Sequence, residues 1–218
     1  MFNNPFNIPI WAKEIPDPEG SAAYFTKMAR NLRDADKSGA LLSGAWEDKA
    51  RARSKGDYDA HGYSSFANHN LVGNPRFTML HSVATDGVKE YLAGGAEEIP
   101  FTITNSWVSI YASGHWVPEH THPLSHLSLV YYAAAPKRCG DIVFKNPAAP
   151  MFSGLYGGAC NLFTQIYRIE PKEGMLIVFP SFIPHGTRPN ESAQDRVIFS
   201  ANVVLDNCPQ LGNGGSSE

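Results

Sequence analysis

Cysteine is scarce in this chain. Three occur, Cys139, Cys160 and Cys208, among 218 residues. An odd number at wide spacing excludes a disulfide framework and a zinc-finger ligand pattern. Each reads as a small apolar filler, and a reducing cytoplasm is the compartment that follows. A basic excess is missing as well. Lys and Arg number 18 against 21 Asp and Glu, a net charge of −3, so the basic face of a nucleic-acid binder is absent. No run approaches the ~18 consecutive apolar residues of a membrane span. The opening MFNNPFNIPIW lacks the charged start and apolar stretch of a signal peptide. There is no internal repeat, and low complexity is confined to the flexible tail LGNGGSSE. What is left is an ordinary globular composition, 43% hydrophobic and 18% charged, in a length that can bury a real core.

The first half reads as helical. In SAAYFTKMARNLRDADKSG, Ser21 is a candidate N-cap, Tyr24, Phe25, Met28, Ala29 and Leu32 follow helical spacing, and Gly39 is a stop. A second helix begins at Asn74 with Pro75 in its first position. It carries Phe77, Leu80, Ala84, Val88 and Leu92 on one face and ends at Gly94 and Gly95. The polar stretch between them reads as a long, lid-like loop. From Pro100 the pattern changes to strands rich in Val, Ile, Tyr, Phe and Thr. They are expected at about 101–113, 117–122, 126–134, 140–145, 162–170, 175–179, 184–187 and 195–205. Short strands without intervening helices predict a mainly β jelly roll with the helices on one outer face. The expected organisation is one domain over 1–218: a helical part and loop at 1–98, a metal-binding core at 99–206 and a tail at 207–218.

The stretch WVPEHTHPLSHLSLVYYA places His120, His122 and His126 close together. On a strand, His120 and His122 would project to one side. Neutral imidazoles suit iron, zinc, copper or nickel. The third ligand expected is His185, in the turn after the apolar run GMLIVFP. His126 and His115 are weaker candidates, because Pro123 turns the chain before His126. A second role for His126, beside the metal or the substrate, fits better. His61, His69 and His81 read as ordinary. Further on, DRVIFSANVV places Arg196, Ile198, Ser200 and Asn202 on one strand face. A guanidinium near a metal offers a two-pronged grip on a carboxylate.

Four stretches, SWVSIYASGHWVPEHTHPLSHLSLVYY, GDIVFKNP, PKEGMLIVFPSFIPHGTRPN and RVIFSANVV, together resemble the double-stranded β-helix core of the iron(II)- and 2-oxoglutarate-dependent oxygenases. More narrowly, they resemble a bacterial and phage subgroup without an assigned substrate. The resemblance implies that His120 and His185 are the first and last ligands of Fe(II). It implies that Arg196 binds the far carboxylate of the cosubstrate 2-oxoglutarate, with Ser200 and Asn202 near it. Tyr132 is the implied hydroxyl donor to that carboxylate, with Tyr131 an alternative. The implied reaction is a dioxygenase's hydroxylation of a small molecule or peptide with molecular oxygen. Succinate and carbon dioxide are the products from the cosubstrate. Neither nucleic acid nor membrane is an expected partner, and a homodimer is left open.

Two positions depart from that family. His122 stands where most of its members have Asp or Glu, which gives the iron one more positive charge, and Ile198 stands where Ser is common. A cupin remains the rival, because GHWVPEHTHPLSH and GMLIVFPSFIPH fit its two motifs with His126 as a fourth ligand. A degenerate, non-catalytic ligand-binding jelly roll is the other. Trp107, Trp116 and the 50–70 loop are expected to wall the substrate pocket.

Overall fold

The computed structural model describes residues 8–17, 20–36, 62–66, 69–94, 99–150 and 165–206. Within them the strands are β1 (Trp11–Glu14), β2 (Tyr63–Ser64), β3 (Phe101–Tyr111), β4 (Leu127–Ala134), β5 (Ile142–Lys145), β6 (Ile166–Ile169), β7 (Met175–Pro180), β8 (His185–Thr187) and β9 (Arg196–Leu205). The helices are α1 (Ser21–Ala35) and α2 (Thr78–Leu92), the second preceded by a 3-10 turn at Pro75–Phe77. The large sheet has the order β1-β7-β4-β9-β3-β2 and the small one β6-β5-β8. All the pairings are antiparallel. The result is a jelly roll of two sheets without a closed barrel.

The central strands are mostly apolar on both faces, because both faces are covered. Leu127, Leu129, Tyr131, Leu176, Val178, Val197, Phe199, Ala201 and Val203 point to the helices, where they meet Phe25, Ala29, Leu80, Ala84 and Val88. Their neighbours Val130, Tyr132, Met175, Ile177, Phe179 and Ile198 point the other way, to Ile142 and Phe144 of the small sheet. Helices, large sheet and small sheet thus form three layers with two cores. Register irregularities occur in the strands flanking β9: Thr104 of β3 and Ala133 of β4 are the extra residues. Gly87 lets α2 approach closely, since a Cβ there would lie 2.3 Å from Leu176 Cδ2.

Several sequence expectations need correction. Ser21 is the first helical residue of α1 and not its cap. Gly20 holds the cap position with φ 68° and no side chain to offer. The Asp17 carboxylate accepts the N–H groups of Ser21 (2.6 Å) and Ala22 (2.9 Å) in its place. These bonds, with that of the Ser21 hydroxyl, hold the Asp17 carboxyl below the usual carboxylate range. Asn74 does start its element, accepting from Arg76 N–H at 3.1 Å. The short β1 escapes detection because it is a four-residue edge strand paired on one side to β7 and shows no alternation. Gly39, Gly95 and most of the 50–70 loop lie outside the described residues.

Candidate metal centre

The segment 117–122 is not a strand. Pro118 and Pro123 have no amide hydrogen to give a ladder, and a single bridge forms, between His120 and His185. In it, His120 N–H donates to His185 O at 2.9 Å and His185 N–H to His120 O at 3.0 Å. His122 N–H donates to Ser181 O at 3.0 Å. His185 opens β8 and registers with Phe144 of β5. A glycine makes this approach possible: a Cβ on Gly186 would lie 2.7 Å from Val117 O.

His120, His122 and His185 each offer a ring nitrogen, and these atoms lie within 4.8 Å of one another. The ring centroids are 4.4 to 5.0 Å apart. The far side of each ring is committed. His120 Nδ1 is 2.9 Å from Pro118 O and His185 Nδ1 is 2.8 Å from Ile183 O. A carbonyl only accepts, so both Nδ1 atoms carry the proton and both Nε2 atoms keep a lone pair. His122 Nδ1 is 2.5 Å from Asn202 Oδ1, with the same consequence. His120 Nε2 and His122 Nε2 are then 3.0 Å apart, two lone pairs facing each other with no proton between them. That arrangement suits a cation. Ligands at right angles on bonds of about 2.1 Å, as for imidazole on zinc, stand ~3.0 Å apart.

Burial favours the neutral form of two of the rings, His185 and His122. It pushes His185 down to about 3, with His120 and His122 adding to the effect. It also lowers His122, against the opposing hydrogen bond to Asn202. Neutral imidazole is the metal-binding form.

Arg196 is 0% exposed, at the start of β9. Its Nη1 donates to Cys139 O (2.7 Å) and Gly140 O (3.1 Å), and its Nη2 to Thr187 Oγ1 (3.0 Å). Its Nε has no partner among the described residues. A guanidinium has five N–H groups, so two remain, the number that a bidentate carboxylate takes. The guanidinium carbon stands 4.5 Å from the Tyr111 ring centroid. Tyr132 belongs to the same inner layer, and burial raises its hydroxyl pKa. Tyr131 points to the other core, edge-on to Phe25 at 6.3 Å. Ser200 is 7% exposed and registers with Trp107 and Val130. Asn202 lies six residues from Arg196, ~20 Å along the strand, and meets His122.

The other described histidines lie outside this group. His126 Nδ1 accepts Leu205 N–H at 2.9 Å, and its backbone bonds Val203 and Ser181. It takes no part in the three-histidine group, which removes the fourth ligand of the cupin reading. His115 Nδ1 accepts Gly62 N–H at 2.6 Å. His69 pairs with Asp36 at 3.2 Å and His81 with Ser106 Oγ at 2.9 Å. His61 lies outside the described residues, as do Cys160 and Cys208. The Trp107 ring is 5.9 Å from that of His122, and Phe66 meets Trp107 edge-on at 4.8 Å. Trp116 is partly exposed. A separate cleft of about 1200 Å³ between α2 and β3 is lined by none of the three histidines nor by Arg196.

Thr187 is the site residue that sequence reasoning missed. It receives both Arg196 Nη2 and Val117 N–H, the latter at 3.0 Å. Its place two residues after His185, on the same side of a strand, was the available signal.

The jelly roll gathers three imidazoles that could hold a metal ion, and a buried arginine bonds to Thr187 of the strand that begins at His185. Residues 105–202 match the family model described as "Putative 2OG-Fe(II) oxygenase". The match covers somewhat under half of the chain and is a likeness to that family over the strand-rich core. A search of curated protein sequences gives no match. Solved structures similar in fold include the alpha-ketoglutarate-dependent epimerase SnoN from nogalamycin biosynthesis, at 15% identity and TM-score 0.61, covering 97% of this chain and 89% of that one. AviO1 from Streptomyces viridochromogenes Tue57 is similar at 12% identity and TM-score 0.62, over 93% and 92%. HygX from Streptomyces hygroscopicus is similar at 9% identity and TM-score 0.58, over 93% and 85%. The HygX structure contains nickel and 2-oxoglutarate, and one SnoN complex contains Fe3+ and alpha-ketoglutarate.

Proposed function

We propose that this protein is a 2-oxoglutarate-dependent oxygenase with Fe(II) held by His120, His122 and His185. The observation that carries the reading is the group of three ring nitrogens within 4.8 Å of one another, with an oxygen acceptor on the Nδ1 of each histidine. Arg196 takes the far carboxylate of 2-oxoglutarate through its two free N–H groups, with Tyr132 and Ser200 on the same layer. Thr187 supports this. It binds Arg196 and lies two residues from His185, ~7 Å along β8, a span that a five-carbon dicarboxylate bridges. When bound, iron and 2-oxoglutarate supply the oxidising chemistry with molecular oxygen, and the chain orients them and keeps water out.

Three neutral ligands leave the iron more positive than a set containing a carboxylate, which favours an anionic cosubstrate. The substrate is a small molecule or peptide that meets Trp107 beside His122. No helix among the described residues is long and apolar enough to cross a membrane, and the scarcity and wide spacing of cysteine in the sequence support a reducing compartment such as the cytoplasm.

Anaerobic addition of Fe(II) and 2-oxoglutarate tests the reading. A weak absorption band in the middle of the visible range, absent from His185→Ala, is expected. No band, together with no thermal shift on adding 2-oxoglutarate, would sink it.

A further inference from the structure

Two of the three histidines are oriented by their own chain. The Nδ1 atoms of His120 and His185 meet carbonyls two residues upstream, those of Pro118 and Ile183. His122 departs from this pattern: the carbonyl two residues before it, that of His120, accepts His185 N–H. Its Nδ1 is met instead by Asn202 Oδ1, from the large sheet.

Asn202 is itself held. Ser128 Oγ donates to Asn202 Oδ1 at 3.3 Å and lies 3.0 Å from His122 Nδ1. Ser181 Oγ is 2.8 Å from Ser128 Oγ. The three side chains are 8%, 1% and 0% exposed, for Asn202, Ser128 and Ser181 in turn. They come from neighbouring places in the sheet. Ser128 registers with Asn202 across β4 and β9, and Ser181 follows directly on β7. With the amide oxygen toward the ring, Ser128 Oγ donates to it as well.

We infer that Asn202 is the positioning residue of the middle histidine. Its oxygen fixes the Nδ1–H tautomer of His122, and Ser128 and Ser181 fix the amide. The inference rests on the reading of the three histidines as metal ligands, and it assigns Asn202 to the metal and not to the cosubstrate. Outer partners of this kind orient a ligand and raise its basicity. Loss of the acceptor frees the ring to rotate or to carry its proton on Nε2, which removes a ligand. An aspartate keeps the acceptor and adds charge to it.

Anaerobic Co(II) titration of the full chain, followed by the visible bands of the bound ion, provides a readout independent of turnover. Asn202→Leu is expected to bind about 10–100-fold more weakly than wild type, with altered bands. Asn202→Asp should bind at least as tightly as wild type, and Ser128→Ala more weakly than it. Circular dichroism checks the fold, and if Asn202→Leu fails to fold, the Asp and Ser128 variants decide the question. Wild-type affinity in Asn202→Leu or in Ser128→Ala would overturn the inference and leave the metal centre standing. So would weak binding in Asn202→Asp, which would make the role one of shape. Equal Co(II) binding by wild type and His120→Ala, or none by either, would overturn the metal centre and this inference with it.

Discussion

Replacing Arg196 by Met separates an anion-binding arginine from a structural one. In the free protein the substitution removes three charge-assisted hydrogen bonds, to Cys139 O, Gly140 O and Thr187 Oγ1. Bonds of this type contribute about 1.5–3 kcal/mol each, and the acceptors left behind are desolvated. Against this, the variant no longer buries a guanidinium whose Nε has no partner among the described residues, a cost of several kcal/mol per ion. The two effects oppose each other, so the free protein should lose only about 1–3 kcal/mol.

The ligand-dependent part behaves differently. With metal present and 2-oxoglutarate at a hundred times its Kd, wild type should gain about 2.7 kcal/mol. At about 2–4 °C per kcal/mol for a chain of this size, the melting temperature rises by ~5–11 °C. Arg196→Met should show almost none of this rise. Arg196→Lys should recover little, since an ammonium is a point charge and not a planar fork. The assay is thermal unfolding with and without 2-oxoglutarate, with succinate as a second ligand. An undiminished 2-oxoglutarate shift in Arg196→Met would refute the assignment, whatever the variant's basal stability.

Two further predictions concern the histidines. Gly186→Ala should weaken metal binding with little change in helix content, because its Cβ would press 2.7 Å from Val117 O and displace the segment carrying His120; Co(II) titration with circular dichroism reads both, and unchanged affinity would show that the segment yields freely. The metal-free protein should lose stability in acid through His185, whose folded value of about 3 lies below the ordinary 6.5. The unfolded chain binds the proton first, so this contribution is complete above about pH 6.5 and is lost as pH falls toward about 3. Between pH 7.5 and 5 it amounts to about 2 kcal/mol. Urea unfolding at both values should show wild type losing more than His185→Gln, and equal losses would refute a buried neutral ring.

The strands were legible because β7 is wholly apolar and β4 and β9 are mostly so, with single polar residues spaced along them. The sequence also made His120, His122, His185 and Arg196 stand out, because few elements of a soluble chain combine these side chains with strand ends. The local geometry was less legible. The i, i+2 spacing suggested a strand for His120 and His122, but the flanking prolines leave a loop, and the rings converge through the His120–His185 bridge instead. Partners distant in sequence were illegible for a simple reason. Asn202 is 80 positions from His122, and no periodicity announces a side chain that must meet another across a sheet. The Ser21 cap failed on similar grounds, since the oxygen that caps α1 comes from Asp17, outside the usual capping position.

Strand β9 turns Val197, Phe199, Ala201 and Val203 to the helices and Arg196, Ile198, Ser200 and Asn202 to the site. A strand's side chains alternate with a period of two, so inserting or deleting one residue exchanges the two sets over everything beyond it. Such a change would carry the polar groups under the helices and the apolar ones to the iron. Core and chemistry would fail together. This strand can therefore vary by substitution but not in length. Its flanking strands take up the mismatch, at Thr104 and Ala133, so lineages or designs that lengthen this fold must do so there or in the connecting turns.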